Sequence, residues 1–273
     1  MSLTKKIDFA IIIGVNYANP NGDPLNGNRP RTNYDGHGEI SDVCLKRKIR
    51  NRLLDDGHSI LVQSDDYRKD GHRSIKARYD SVEMPKKASG EEQATIACKE
   101  WFDVRAFGQV LAFRKGSNDT SVSIGIRGPV TIQSAFSIEP VDISSMQITK
   151  SVNLETNKDP SKKSADTMGM KHRVEHGVYV TYGSINRQLA EKTGFTDEDA
   201  EVLKQAIRKL FENDESSARP ACSMEVLKVI WWTHDDQTLP SAKVHRSLNV
   251  NPDGSYAISP LDGISAEELD AII

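Results

Sequence analysis

Cysteine is scarce in this sequence: Cys44, Cys98 and Cys222 are odd in number, far apart and without a CxxC pair. That argues against a disulfide framework and a cysteine zinc site, and predicts reduced, part-buried thiols. Long apolar runs are also missing. No stretch approaches the roughly 20 residues of a membrane span, and the N-terminus lacks the basic region and apolar core of a secretory leader. No membrane partner and a cytoplasmic location are therefore predicted. Neither a GK[ST] phosphate loop nor a G-x-S-x-G nucleophile turn occurs. The net charge of −3 is small, which taken alone disfavours nucleic acid.

What is present suffices for a sizeable core, with 37% hydrophobic and 27% charged residues in 273. The β-branched run from Ile7 to Tyr17 predicts a buried strand. A loop follows, Asn19 to Thr32, dense in glycine, proline and arginine. Ser41 then caps a helix whose Leu45, Ile49 and Leu53 repeat every four residues up to Gly57. Lys46, Arg47 and Arg50 fall together on its opposite face. Residues 58–100 are polar with little periodicity and predict an inserted subdomain. Residues 101–113 and 121–138 look strand-like, as do 178–182 and 224–232. Thr196 opens the clearest helix, with the apolar stripe Val202, Leu203, Ala206, Ile207, Leu210 and Phe211. Residues 147–171 form a long excursion, and residues 249–273 a turn-rich tail ending in an acidic stretch read as a helix start. Without the excursions the order is strand, helix, strand, strand, helix, strand. That predicts an α+β, ferredoxin-like fold with two helices on one face of an antiparallel sheet and the other face available to RNA.

Charge distribution matters more than its sum. From Arg29 to Arg52 seven basic residues face three acidic ones, a basic patch on an acidic body. Phosphates need such charge, and glycines let a backbone approach closely. Rival chemistry is weaker. His172 to His176 spell H-x-x-E-H, the pattern of a zinc peptidase, but Gly177 and the alternation of Val178, Val180 and Thr181 argue for a strand. Asp23 follows Gly22 as a turn residue would, and the calcium-loop spacing is absent. Trp231 and Trp232 read as strand residues on opposite faces.

The motifs Asn19–Pro24 (NPNGDP), Gly27–Arg31 (GNRPR) and Ser41–Arg50 (SDVCLKRKIR), in that order and spacing, resemble the backbone subunit of the CRISPR Cascade surveillance complex. Asp103–Gly108 (DVRAFG) and Gly128–Phe136 (GPVTIQSAF) extend the likeness over about residues 7–232. Its nearest form is the type I-C subunit, in the seventh Cas protein family of the RAMP superfamily. The resemblance implies an RRM-like palm (residues 1–57, 101–140 and 173–248), fingers (58–100), a thumb (141–172) and a tail (249–273). It also implies a non-enzymatic subunit that polymerises along CRISPR RNA, presents it to a target DNA strand, and meets a large subunit and a RAMP subunit capping the RNA 5′ end. No cofactor and no metal are implied. Ser123–Gln133 lacks the aromatics of RRM base stacking, which suits contact with phosphate and sugar alone. RNA contacts are accordingly expected at Asn21, Arg29, Arg31, Ser41, Lys46, Arg47, Arg50, Arg105, Gln133, Met168, Lys171 and Arg173. The thumb is expected to carry Lys150, Lys162 and Lys163 and to wedge Met168 or Met170 between bases. The rival reading is a metal-dependent ribonuclease of the type III backbone kind, using Asp23 or Asp35.

Overall fold

The computed structural model describes residues 2–83, 85, 88–113, 122–149, 151, 152, 159, 161, 168–235 and 239–272. In chain order these hold β1 (Ile7–Ala18), β2 (Gly22–Asp23), β3 (Arg29–Pro30), β4 (His37–Ile40), α1 (Asp42–Asp55), α2 (Ile75–Asp80), α3 (Gly90–Glu100) and α4 (Phe102–Phe107). There follow β5 (Gly108–Phe113), β6 (Val122–Arg127), β7 (Val130–Ile132), β8 (Ala135–Pro140), β9 (Ile143–Thr149), β10 (Met168–Ile185), α5 (Arg187–Thr193) and α6 (Asp197–Arg208). The chain closes with β11 (Met224–His234), α7 (Ser241–His245), β12 (Leu248–Val250), β13 (Tyr256–Ile258) and β14 (Ile264–Leu269).

β1 is apolar on both faces because it lies at the centre of the main sheet. β10 and β11 flank it, both antiparallel. Among the described residues the order is β14-β11-β1-β10-β8-β4, with β7 and β9 also on β10. The run β11-β1-β10-β7 is the fourth, first, third and second strand of a ferredoxin-like sheet. Phe9, Ile11, Ile13 and Val15 point to one face and meet Leu45, Ile49 and Leu53 of α1 and Leu203, Ala206 and Ile207 of α6. Gly183 on β10 permits this packing, since a Cβ there would sit 2.1 Å from Phe9 Cζ.

The opposite face is not available to RNA. Ala10, Ile230 and Trp232 are buried there against Val244 and Leu248, with Tyr256, Ile258 and Leu261 packed around them. Residues 239–261 therefore close the face that an RRM leaves open. Their turns and short strands disguise a lid, since its apolar residues come singly. The acidic end is likewise a strand rather than a helix: Ile264–Leu269 pairs with β11 from His234↔Ile264 to Val229↔Leu269. An unpaired sheet edge outweighs the helix propensity of Ala-Glu-Glu-Leu.

A second core joins Leu61, Tyr79 and Ala97 of the insertion to Trp101, Val104, Leu111 and Ile124, so the inserted unit extends beyond residue 100. Residues 102–107 form a helix, not the strand expected of 101–113. Phe102 and Ala106 face the main core while Trp101 and Val104 face the second. Only a helical repeat serves two cores in this way. No helix among the described residues is long and apolar enough to cross a membrane.

Candidate nucleic-acid interface

The loop after β1 is a β2–β3 hairpin tipped by a 3-10 turn, Pro24–Asn26. Asp23 opens the turn: its Oδ1 accepts from the Leu25 N–H (3.2 Å) and from Arg31 Nη2 (3.4 Å). The carboxylate gives the loop its shape. Gly27 and Asn28 both have φ 59°, the left-handed region that glycine and asparagine enter most readily. At the root, Asn21 Oδ1 accepts from the Ser41 N–H (2.9 Å) and the Ser41 hydroxyl (2.8 Å). That hydroxyl accepts in turn from the Cys44 N–H (3.4 Å) as the cap of α1. Asn21 and Ser41 are thus bonded to each other and latch the loop to the helix. Burial pushes the Cys44 thiol up, as an inert structural cysteine requires.

Opposite the loop stands the ribbon of β9 and β10, paired from Val174↔Ile143 to Met168↔Thr149. Arg29 Nη1 crosses to it and donates to Ser145 Oγ (2.9 Å), and His172 Nδ1 lies 2.8 Å from the same hydroxyl. Arg173 Nε donates to Ser144 Oγ (3.3 Å), with its guanidinium 4.8 Å from the ring of Tyr17. Met168 and Met170 are exposed on the ribbon. Lys150, Lys162 and Lys163 lie outside the described residues.

Between loop and ribbon opens a cleft of about 260 Å³, lined by Asn19, Gly27, Asn28, Ile148, Met170, Lys171, His172, Ser217 and Ala218. Its far wall comes from the segment before β11. The Asn19 N–H donates to the Ala218 carbonyl (2.9 Å). Asp214, which pairs with the fully buried Lys48 of α1 and with Arg219 (3.0 Å), anchors the segment. No local pattern marks residues 214–219, or the serines of β9, as neighbours of the loop; only the tertiary fold brings them together.

Of the expected contacts, Lys171 lines this cleft beside Met170, Arg29 reaches the ribbon at Ser145 and Arg173 lies against Ser144 and Tyr17, with Met168 farther out on the ribbon, while Asn21, Arg31 and Ser41 shape the loop. Arg47 is exposed on α1, and Lys46 pairs with Asp42 one turn earlier (3.2 Å). Arg50 and Arg105 are committed elsewhere. Arg50 Nε donates to the buried Asp103 (2.9 Å), which also accepts from the Leu61 and Val62 N–H groups. Arg105 grips Asp199 with two nitrogens (2.9 and 2.7 Å) at the start of α6. Gln133 is exposed beside β10, its N–H donating to the Tyr182 carbonyl (2.8 Å). His172 and His176 share no metal geometry: on an extended strand four residues span about 13 Å, and His176 Nδ1 lies 2.7 Å from Asn16 Oδ1 instead.

Fold and site together define a ferredoxin-like palm whose second face is closed and whose basic cleft lies between a glycine-rich hairpin and a projecting ribbon. Residues 5–270 match the family described as CRISPR-associated protein Cas7, and the chain belongs to that family. The CRISPR-associated protein Cas7 of Haloferax volcanii is 25% identical over 232 residues, 80% of this chain and 67% of that protein. Among solved structures, a chain of a CRISPR RNA-guided surveillance complex, pre-nicking, superposes with a TM-score of 0.52 at 14% identity. That match covers 88% of this chain and 81% of the other, and establishes a shared fold.

Proposed function

We propose that this Cas7 protein is a non-enzymatic backbone subunit that binds CRISPR RNA in the cleft between hairpin and ribbon. It stacks copy upon copy along the guide in a Cascade complex of the type I-C kind, and holds the guide for pairing with target DNA. The observation that carries the reading is Lys171 in the cleft, with Arg29 and Arg173 on the ribbon beside it, in a fold whose usual RNA-binding face is covered by residues 239–261. Basic contacts to phosphate carry no sequence information, as a subunit that must accept any guide requires. A head-to-tail interface does not close into a ring, so RNA length and capping subunits limit growth. Arg47 on α1, and the exposed Met168 and Met170 on the ribbon, extend the surface toward neighbouring nucleotides and copies.

Holding is favoured over cutting by the use made of the acidic residues. Asp23 is engaged by the Leu25 N–H and Arg31, and Asp35 lies exposed in a turn whose N–H donates to Asn33 Oδ1 (3.0 Å). Two-metal phosphoryl chemistry needs carboxylates that converge. The test is to purify the protein with its neighbouring subunits and sequence the RNA recovered. Repeat-derived RNA of uniform length supports the reading; its absence overturns it. Incubation of that assembly with complementary RNA and Mg²⁺ should give no cleavage, and products that vanish in Asp23→Asn or Asp35→Asn would establish a ribonuclease.

A further inference from the structure

One side chain in the cleft is left with half of its hydrogen bonding unused. Asn19 is 97% buried, with 3% of its surface accessible, and it lines the cleft. Its Nδ2 donates to the Asn28 carbonyl (2.6 Å), which can only accept and so fixes which arm of the carboxamide is nitrogen. The other arm, Oδ1, is shut off from solvent, and among the described residues no donor reaches it. Buried polar atoms are nearly always hydrogen-bonded, and one left without a partner is costly enough to need an explanation.

We propose that the cleft holds one ribose of the RNA strand and that Asn19 Oδ1 accepts its 2′-hydroxyl, making the cleft selective for RNA over DNA. This rests on the RNA-binding reading above. The sugar–phosphate chain of a nucleic acid is otherwise all acceptors: diester oxygens and ring oxygen donate nothing. Base N–H groups do donate, but they differ from base to base and cannot satisfy one fixed acceptor in a site blind to sequence. The 2′-hydroxyl is the donor common to every ribonucleotide and absent from DNA. The rest of the lining agrees: Lys171 supplies charge for the adjoining phosphate, and Ile148 and Met170 give an apolar wall for the sugar carbons. Oδ1 is covered by its surroundings, so in the proposed complex the hydroxyl takes the place of what covers it while the Asn28 carbonyl keeps Nδ2.

The experiment measures binding of the full chain to one sequence as RNA, DNA and 2′-fluoro RNA. Fluorine keeps the sugar pucker of RNA but removes the donor. RNA should bind roughly 3- to 10-fold more tightly per engaged ribose than the other two, the equivalent of one hydrogen bond. Asn19→Ala should lower RNA affinity to the DNA level without changing DNA binding. Equal binding of RNA and 2′-fluoro RNA by the unaltered chain overturns the inference while leaving RNA binding as such in place, and needs no variant to fold. Equal weakening of both strands by Asn19→Ala also overturns it, because a collapsed loop does not discriminate. Binding of neither strand removes the RNA-binding reading and this inference together.

Discussion

The arginines of this protein divide by what their guanidinium groups already hold. Arg50 and Arg105 sit on Asp103 and Asp199, both carboxylates nearly enclosed. Removing either cation strands a buried charge, a loss of about 3–5 kcal/mol. Among the described residues, Arg29 and Arg173 rest on serine hydroxyls, an aromatic ring and one long contact to Glu175 (3.6 Å). We therefore expect Arg50→Ala and Arg105→Ala to lower the melting temperature, with RNA affinity falling only as folded protein is lost. Arg29→Ala, Lys171→Ala and Arg173→Ala should leave melting nearly unchanged. Each should weaken RNA binding for unrelated sequences alike and reduce the salt slope by about one; calorimetry and salt titrations separate the two groups. A second residue-scale prediction concerns Asp8, which is fully buried with His234 Nε2 at 2.7 Å, His245 Nε2 at 3.5 Å and Lys6 Nζ at 3.3 Å. Burial alone would push its carboxyl up, but hydrogen bonds from His234, His245 and Ser241 and the charge of Lys6 outweigh it and hold the group well below the usual carboxylate range. A depressed carboxyl contributes its stability above the unfolded value, about 3.9, and loses it as pH falls below that. Asp8→Asn should thus cost about 3 kcal/mol near neutral pH, and the gap to the unaltered protein should narrow below about pH 4 in denaturant titrations.

Among the elements, the strand β10 and the ribbon it builds with β9 are held by their own register, which ends at Thr149 and Met168. Replacing residues 150–167 by a short glycine-containing turn should therefore leave a folded monomer by circular dichroism that no longer assembles on RNA. Normal assembly of that variant would show that residues 150–167 are not needed at the interface. Elements of this kind show why some of the structure was legible from sequence and some was not. Ser41 and Thr196 announced their helices because a cap is local chemistry, and both hydroxyls accept from the third residue on. The alternation around Val178 revealed β10, and the doubly apolar run revealed β1, because periodicity is local too. The helix at 102–107 was hidden because its apolar residues serve two cores and, with Asp103 and Arg105 between them, alternate as a strand would. The strand at 264–269 was hidden because its partner lies in β11. At the site, glycine, proline and arginine flagged the hairpin. Nothing near Arg50 and Arg105 in sequence discloses Asp103 and Asp199 as the partners of their guanidinium groups.

For the molecule as a whole, the covering of the second sheet face sets what can be removed. Truncation after Asp235 would bare Ile230 and Trp232, now 0% and 1% exposed, at about 2–3 kcal/mol for each large side chain returned to water. It would also free the edge of β11 now paired with β14. We expect such a chain to bind a hydrophobic dye and to aggregate below the melting temperature of the full chain; a soluble monomer with unchanged melting would show that residues 239–272 are an accessory. The same arrangement bears on how the chain comes off the ribosome. β1 is the centre of the sheet, yet Ile7 faces Ile185 on one side and Thr233 on the other, so this strand is made long before either of its partners. At about 5–20 residues per second, its isoleucine run waits on the order of ten seconds or more without a ladder on either edge. Such an uncharged, β-prone segment is an aggregation hazard while it waits. Nascent chains must be shielded until β11 has emerged, and the palm closes only once it has.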